Sequence, residues 1–303
     1  MKQILVPTDF SECADNATNF SVQSAKILPA KVTLLHSYEI NSSLYTDYMG
    51  VNKEYNQTVL NDAKKSLAAL KKGIKETGGP AIDSVISTGS LQDAIKKSVE
   101  EKKIDLIVMG TLGASGIKEK LFGSRTAATI GKSTVPVMAV PNDYVWEKPK
   151  KILLATNRFE KDPAILDYIF ELAGLYMANI QVAVFTDEDD DKAGTFLDHK
   201  RQISEYELFL KEHYKEDTLT SAHLYGEKFE ETLQNFIEEN NIDILVMVTY
   251  PHKFWNRIFN PSKTKRMSYQ TKVPLLAIPV TNSERKKINI LNKKEHETNI
   301  STS

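Results

Sequence analysis

A single cysteine, Cys13, stands in 303 residues, so no intramolecular disulfide can staple this fold. A packed structural thiol is the plain reading for it, since a redox role requires a lowered thiol pKa. Long apolar runs are missing too: nothing approaches the roughly 18 residues that cross a bilayer. The first stretch, MKQILVPTDF, enters a strand directly without a signal-peptide pattern, which leads us to expect a cytoplasmic protein. Charge of neither sign prevails. The formal net charge of −1 gives no electrostatic case for nucleic acid or an anionic membrane as partner. Catalytic signatures are equally scarce. There is no GxxxxGK followed by Ser or Thr, no nucleophile–base–acid order and no paired-carboxylate spacing, so no catalytic residue is assigned. The six histidines are scattered; His36, in a predicted strand, reads as a packed or hydrogen-bonded side chain, and neither it nor His252 makes a metal site. The run Asp187 to Asp191, DEDDD, could attract a divalent cation, yet it lacks the glycine turn of a calcium loop and reads more simply as a solvated loop.

What is present is alternation. The length suits two domains of about 150 residues. Lys2 to Pro7 reads as a strand, Ser11 as the N-cap of a helix running to about Leu28, and Lys31 to Ser37 as a second strand. A polar, tyrosine-containing connection then leads to a long helix from about Val51 to Glu76, closed by Gly78-Gly79-Pro80. Ala81 to Thr88 is a third strand, and Ser90 caps a helix to about Glu101. Strands separated by helices pair in parallel through right-handed crossovers, which predicts a doubly wound α/β fold with helices on both faces.

Residues 104 to 141 organise the rest. Ile104 to Met109 is a branched apolar run, expected to be buried on both faces of a parallel sheet. Gly110, Gly113 and Gly116 follow, and Gly123-Ser124 precedes a helix expected over Arg125 to Lys132. A strand, a glycine loop and a helix start form an anion site, because backbone N–H groups can approach a ligand unhindered and the helix adds its positive dipole end. Phosphate is the natural guest. The Ser124 hydroxyl can cap the helix or serve a phosphate oxygen. Val135 to Val140 closes the segment as a buried strand.

The pattern Gly110-x-x-Gly113, nine residues, Gly123-Ser124 resembles the nucleotide-binding motif of the universal stress protein family, and QILVPTDFSE (3 to 12) resembles that family's first strand and Pro-Thr-Asp turn. The resemblance implies a Rossmann-like sheet, similar to adenine nucleotide alpha hydrolases, in the order 3-2-1-4-5, whose switch point lies between strands one and four. It implies that Pro7, Thr8 and Asp9 hold the adenosine part, that Ser37 lies beside the base, that Met109 and Gly110 border the ribose, and that Gly113, Gly123, Ser124 and Arg125 surround the phosphates. Arg125 departs from the small or apolar residue common there, although a guanidinium suits phosphate. Without the family, Asp9 reads as a turn or cap residue ahead of the helix that starts near Ser11. The ligand implied is ATP, or AMP or ADP, with Mg²⁺ arriving on the nucleotide, and the role is a stress-response sensor or binding module. A nucleotide-independent interaction scaffold is the alternative, and a slow ATP hydrolase the third reading; the SGGxDS and HIGH-type loops of related adenylating enzymes are absent.

The second half repeats the first. KILLATNRFE (151 to 160) aligns with QILVPTDFSE, IDILVMVTYP (242 to 251) with IDLIVMGTLG, and KVPLLAIP (272 to 279) with STVPVMAVP. We therefore expect two tandem five-stranded parallel sheets: a first domain over 1–141, a linker over 142–150, a second domain over 151–281 and a loose polar tail over 282–303. Family members pair through their fifth strands, and Val135 to Val140 and Val273 to Val280 fit an internal pseudo-dimer. A homo-oligomer beyond that and an unidentified protein partner are also expected. The repeats differ where chemistry would occur: Gly110 is matched by Val248, Gly113 by Pro251, Gly123 by Pro261 and Asp9 by Asn157, while Ser124 is matched by Ser262. Proline removes an N–H donor and valine adds a Cβ, so the second motif is degenerate. Its loop, PHKFWNRIF (251 to 259), is either a docking surface or an aromatic cover over the altered cleft.

Overall fold

The computed structural model of the chain describes residues 1–40, 51–111, 123–156, 159–187, 193–226, 229–249 and 272–280. The first half runs β1 (Gln3–Pro7), α1 (Glu12–Ala25), β2 (Lys31–Tyr38), α2 (Val51–Glu76), β3 (Ile82–Thr88), α3 (Leu91–Lys102), β4 (Leu106–Gly110), α4 (Ser124–Lys132) and β5 (Val137–Val140). The second runs β6 (Lys151–Thr156), α5 (Pro163–Tyr176), β7 (Asn179–Asp187), α6 (Ala193–Tyr214), β8 (Thr220–Gly226), α7 (Phe229–Asn240), β9 (Ile244–Thr249) and β10 (Leu275–Pro279). Local chemistry starts several helices: Ser11 accepts from the Ala14 N–H, Ser90 from Asp93, and Asp162 from Ala164 with Pro163 in the first turn. Among the described residues no helix is long and apolar enough to cross a membrane.

The two expected parallel sheets meet edge to edge through their fifth strands, the pairing that the resemblance implied. They form one ten-stranded sheet in the order β3-β2-β1-β4-β5-β10-β9-β6-β7-β8. Pairing inside each half is parallel, and the halves join where β5 and β10 run antiparallel, with Met138 opposite Leu276 and Val137 opposite Ala277. The physical reason is the edge. Left apart, β5 and β10 would each present a row of unpaired backbone groups between apolar side chains; pairing satisfies the first and buries the second. Met138, Ala139, Leu276 and Ala277 are all essentially inaccessible to solvent.

Strand side chains alternate between two cores. Ile4, Val6, Val108, Met138, Leu154, Val246 and Leu276 point to one face, which α1 and α5 cover with Phe20, Ile169 and Leu172. Leu5, Ile107, Met109, Val137, Leu153, Leu245 and Leu275 point to the other, covered by Ile95 of α3, Ile130 of α4 and Leu233 of α7. Burial on both faces is what the branched apolar runs encode.

The repeat reaches into backbone tethers. The Asp105 carboxylate accepts the N–H groups of Lys2 and Gln3 at 2.6 and 2.9 Å, and the Asp243 carboxylate those of Lys150 and Lys151 at 2.7 and 2.8 Å. In each half, an aspartate before the fourth strand thereby ties the start of the first. The stretch over 142–150 behaves differently from a free polar linker. Tyr144 and Trp146 pack on Phe20 with ring centroids 6.0 and 5.1 Å away, and Trp146 lies 6.5 Å from Tyr176. Asn16 also donates to the Asn142 carbonyl, and the Tyr176 hydroxyl donates to Ser24 at 2.8 Å. Two aromatic rings spaced two residues apart find apolar surface between α1 and α5, and the connection is anchored there.

Candidate functional site

The site begins where β1 ends. The Thr8 N–H donates to the Leu35 carbonyl at 2.8 Å, and its hydroxyl accepts from the Phe10 N–H at 3.0 Å. The Thr8 carbonyl meets His36 Nδ1 at 2.9 Å; a carbonyl only accepts, so Nδ1 carries the proton. Phe10 adopts a left-handed φ of 61°, uncommon for a bulky residue, and its ring stacks on His36 with centroids 4.6 Å apart. His36 therefore holds the turn, in line with its reading as a hydrogen-bonded packing residue. The turn delivers Asp9. Its Oδ1 accepts from the Ser11 N–H at 3.2 Å and the Ser11 hydroxyl at 2.6 Å, and Ser11 in turn caps α1. Its Oδ2 lies 3.7 Å from Nη1 of Arg125. The turn role expected for Asp9 is present on Oδ1, and its Oδ2 faces a residue of the second motif.

The second motif begins where β4 ends. The Thr111 N–H donates to Val140 at 2.9 Å and the Gly123 N–H to Thr111 at 2.6 Å, so the two ends of the glycine stretch sit side by side. Thr126 Oγ1 donates to the Gly110 carbonyl at 2.7 Å. Gly123 is the N-cap of α4 and supplies no side-chain cap; the first turn has no acidic residue. Ser124 is the first helical residue and is exposed. It does not cap the helix, which settles one of its two readings. The N–H groups of this first turn have no acceptor within the helix, and with the dipole they attract an anion. Charge on the other side is negative: burial first, then Asp9 and Glu12, raise the Asp15 carboxyl above its ordinary value of 3.8.

Gly110 has a reason of its own. A Cβ there would lie 2.5 Å from Cys13 Sγ and 2.6 Å from the Cys13 carbonyl oxygen. The glycine lets α1 close on β4, whereas its counterpart Val248 is buried on β9, to which α5 makes no comparable approach. The missing Cβ here admits a helix, a reason for glycine independent of any ligand. Met109 also turns inward: its side chain is buried in the core cluster with Ile107 and Ala139, leaving its backbone at the strand end. Pro7 is buried opposite Leu35, and Ser37 is half-buried on β2, paired with Ser87. Gly113 lies outside the described residues, as do Asn157, the loop 251–259, Ser262 and the tail. Phe10 and Thr126 are the contributors that sequence reasoning passed over, while Cys13, read as a packed structural thiol, is buried against Gly110. Phe10 stood inside the recognised PTDFSE string; Thr126 carried no signal beyond proximity to the motif.

In the second half the residues ahead of α5 are tied to α6. Glu160 is buried, its Oε1 accepts the N–H groups of Lys161 and Asp162 at 2.8 and 2.7 Å, and its carbonyl accepts the Tyr206 hydroxyl at 2.6 Å. Phe159 meets Tyr206 edge-on at 5.5 Å, and Lys161 lies over Phe209 at 5.2 Å. Burial, with Glu160 nearby, pushes the Tyr206 phenol well up. Among the described residues no group of three or more His, Cys, Asp or Glu could hold a metal ion.

Comparison with known proteins follows this geometry. A family profile described as "Universal stress protein family" matches residues 1–141. Universal stress protein MJ0577 of Methanocaldococcus jannaschii is 36% identical over 154 residues, covering 46% of this chain and 94% of that protein. Universal stress protein YxiE of Bacillus subtilis is 28% identical over 144 residues, covering 46% and 97%. A solved universal stress protein from Archaeoglobus fulgidus superposes with a TM-score of 0.66 at 17% identity, over 91% of this chain and 98% of that one, so likeness of fold extends through both halves. Paired motifs, sheet topology and a relative matched over nearly its whole length agree: the chain belongs to the universal stress protein family.

Proposed function

We propose that the first half, 1–141, binds ATP or a related adenine nucleotide at the switch point between β1 and β4, and that the protein acts as a nucleotide-linked sensor or binding module. The observation that carries this reading is the 3.7 Å approach of Asp9, from the first motif, to Arg125, from the second, above the helix start capped only by Gly123. Asp9 Oδ2 is an acceptor suited to sugar hydroxyls; Ser124, Arg125 and the first-turn N–H groups of α4 suit phosphate oxygens. Thr8 and Pro7 fix the turn, Ser37 lies toward the base, and Met109 and Gly110 offer backbone to the ribose. Mg²⁺ would come with the phosphates. In this reading 151–281 is a repeat joined by the anchored segment 142–150, and it does not bind phosphate in the same way.

Calorimetric titration of the nucleotide-stripped protein with Mg-ATP tests the proposal. One site per chain is expected, lost in Asp9→Ala and in Gly113→Pro, which copies the proline of the second repeat into the first. No heat, together with no co-purified nucleotide, would leave an interaction scaffold as the function.

A further inference from the structure

We infer that Arg125 sets how strongly this site distinguishes nucleotides by their number of phosphates, because a phosphate bound at α4 competes with Asp9 for its guanidinium. The inference rests on the nucleotide reading above. Arg125 is the second residue of α4, where the helix dipole disfavours a cation and a nearby anion is favourable. Asp9 provides that anion at 3.7 Å, beyond direct hydrogen-bond contact. The Arg125 side chain is 66% exposed against 23% for Asp9, and a pair so exposed shifts an equilibrium by no more than about five-fold. The guanidinium is therefore cheaply exchanged. A phosphate offers it a forked, doubly charged acceptor within reach of the same helix start.

The surroundings make the exchange matter. Glu12 and Asp15 stand in the first turn of α1, and Asp9 is bonded to its N-cap Ser11, so three carboxylates gather there; burial first, then Asp9 and Glu12, raise the carboxyl of Asp15. A polyphosphate entering this mouth meets negative charge, and the repulsion grows with every phosphate. Arg125 counters that repulsion; adenosine, with no phosphate, gains nothing from it. Removing Arg125 leaves the turn intact, because Asp9 Oδ1 stays bonded to Ser11.

Equilibrium binding of adenosine, AMP, ADP and ATP to the full chain and to Arg125→Leu and Arg125→Lys tests this. In the unaltered protein affinity should climb along the series. In Arg125→Leu the ATP affinity should fall by roughly ten- to a hundred-fold, while adenosine changes by less than about two-fold or binds slightly tighter. Arg125→Lys should recover part of the climb, supplying charge without the fork. A uniform loss across all four ligands would mean a merely structural role and would overturn the inference, as would an unchanged series. A flat series in the unaltered protein overturns the role of Arg125 alone; no binding of any of the four removes the nucleotide reading itself.

Discussion

A Cβ placed on Gly110 would sit 2.6 Å from a backbone carbonyl oxygen of α1, a contact that no side-chain rotation relieves. Gly110→Ala should therefore cost about 1–3 kcal/mol in chemical denaturation, the usual range for overpacking. A Cys13→Ala background removes the sulfur and should restore only part of that. Gly73 gives the opposite case. It lies inside α2 with nothing within 4 Å of its missing Cβ, so Gly73→Ala should gain roughly 0.5–1 kcal/mol. Equal effects at the two positions would contradict the packing account. The motif spacing singled out Gly110, but glycine means only that something comes close. Whether a phosphate or a helix approaches is a matter of where α1 goes, and that is not written in the residues around Gly110.

Helices and strands are held in place by a few polar joints as well as by burial. Glu207 on α6 bonds Lys211 at 2.7 Å through Oε1 and accepts from both the N–H and the hydroxyl of Ser221 on β8 through Oε2. Burial pushes its carboxyl up, but the bonds from Lys211 and Ser221 outweigh it, and the folded pKa lies below the ordinary 4.5. The sign follows. The folded state holds this proton less tightly than the unfolded state, so the joint contributes fully above the ordinary value and is lost as pH falls through the lower folded one. Acid titration of stability should show this loss, and Glu207→Gln should flatten it while lowering stability at neutral pH. An unchanged acid profile in the variant would remove Glu207 from this role. Element order was legible beforehand because branched runs and capping residues act on near neighbours; ends moved by a few residues, as at α1, which stops at Ala25 while the backbone of Lys26 closes its last turn.

Across the molecule the two cores run without a break from one half to the other, since β5 and β10 share a ladder and Trp146 and Tyr176 fill the space between α1 and α5. Unfolding should then be a single cooperative event. Trp146 emission in a Trp255→Phe chain and far-ultraviolet dichroism should report coincident transitions. Leu276→Ala, a truncation at a fully buried position opposite Met138, should move both to lower denaturant by about 2–5 kcal/mol. Two separated transitions, or a shift confined to one probe, would mean that the halves fold independently.

The alternation of strands and helices, the caps at Ser11, Ser90 and Asp162, the internal repeat and the two motifs were all readable in the chain, because each depends on residues close in sequence or on a short pattern. The pairing of fifth strands and the shared crevice of the two motifs were implied by the resemblance; the docking of the 142–150 segment, the closure of α1 on Gly110 and the direct approach of Asp9 to Arg125 required the folded molecule. These contacts link residues far apart in the chain, and they exist only once burial of both sheet faces has brought the elements together; no local preference specifies which distant surface a side chain will meet.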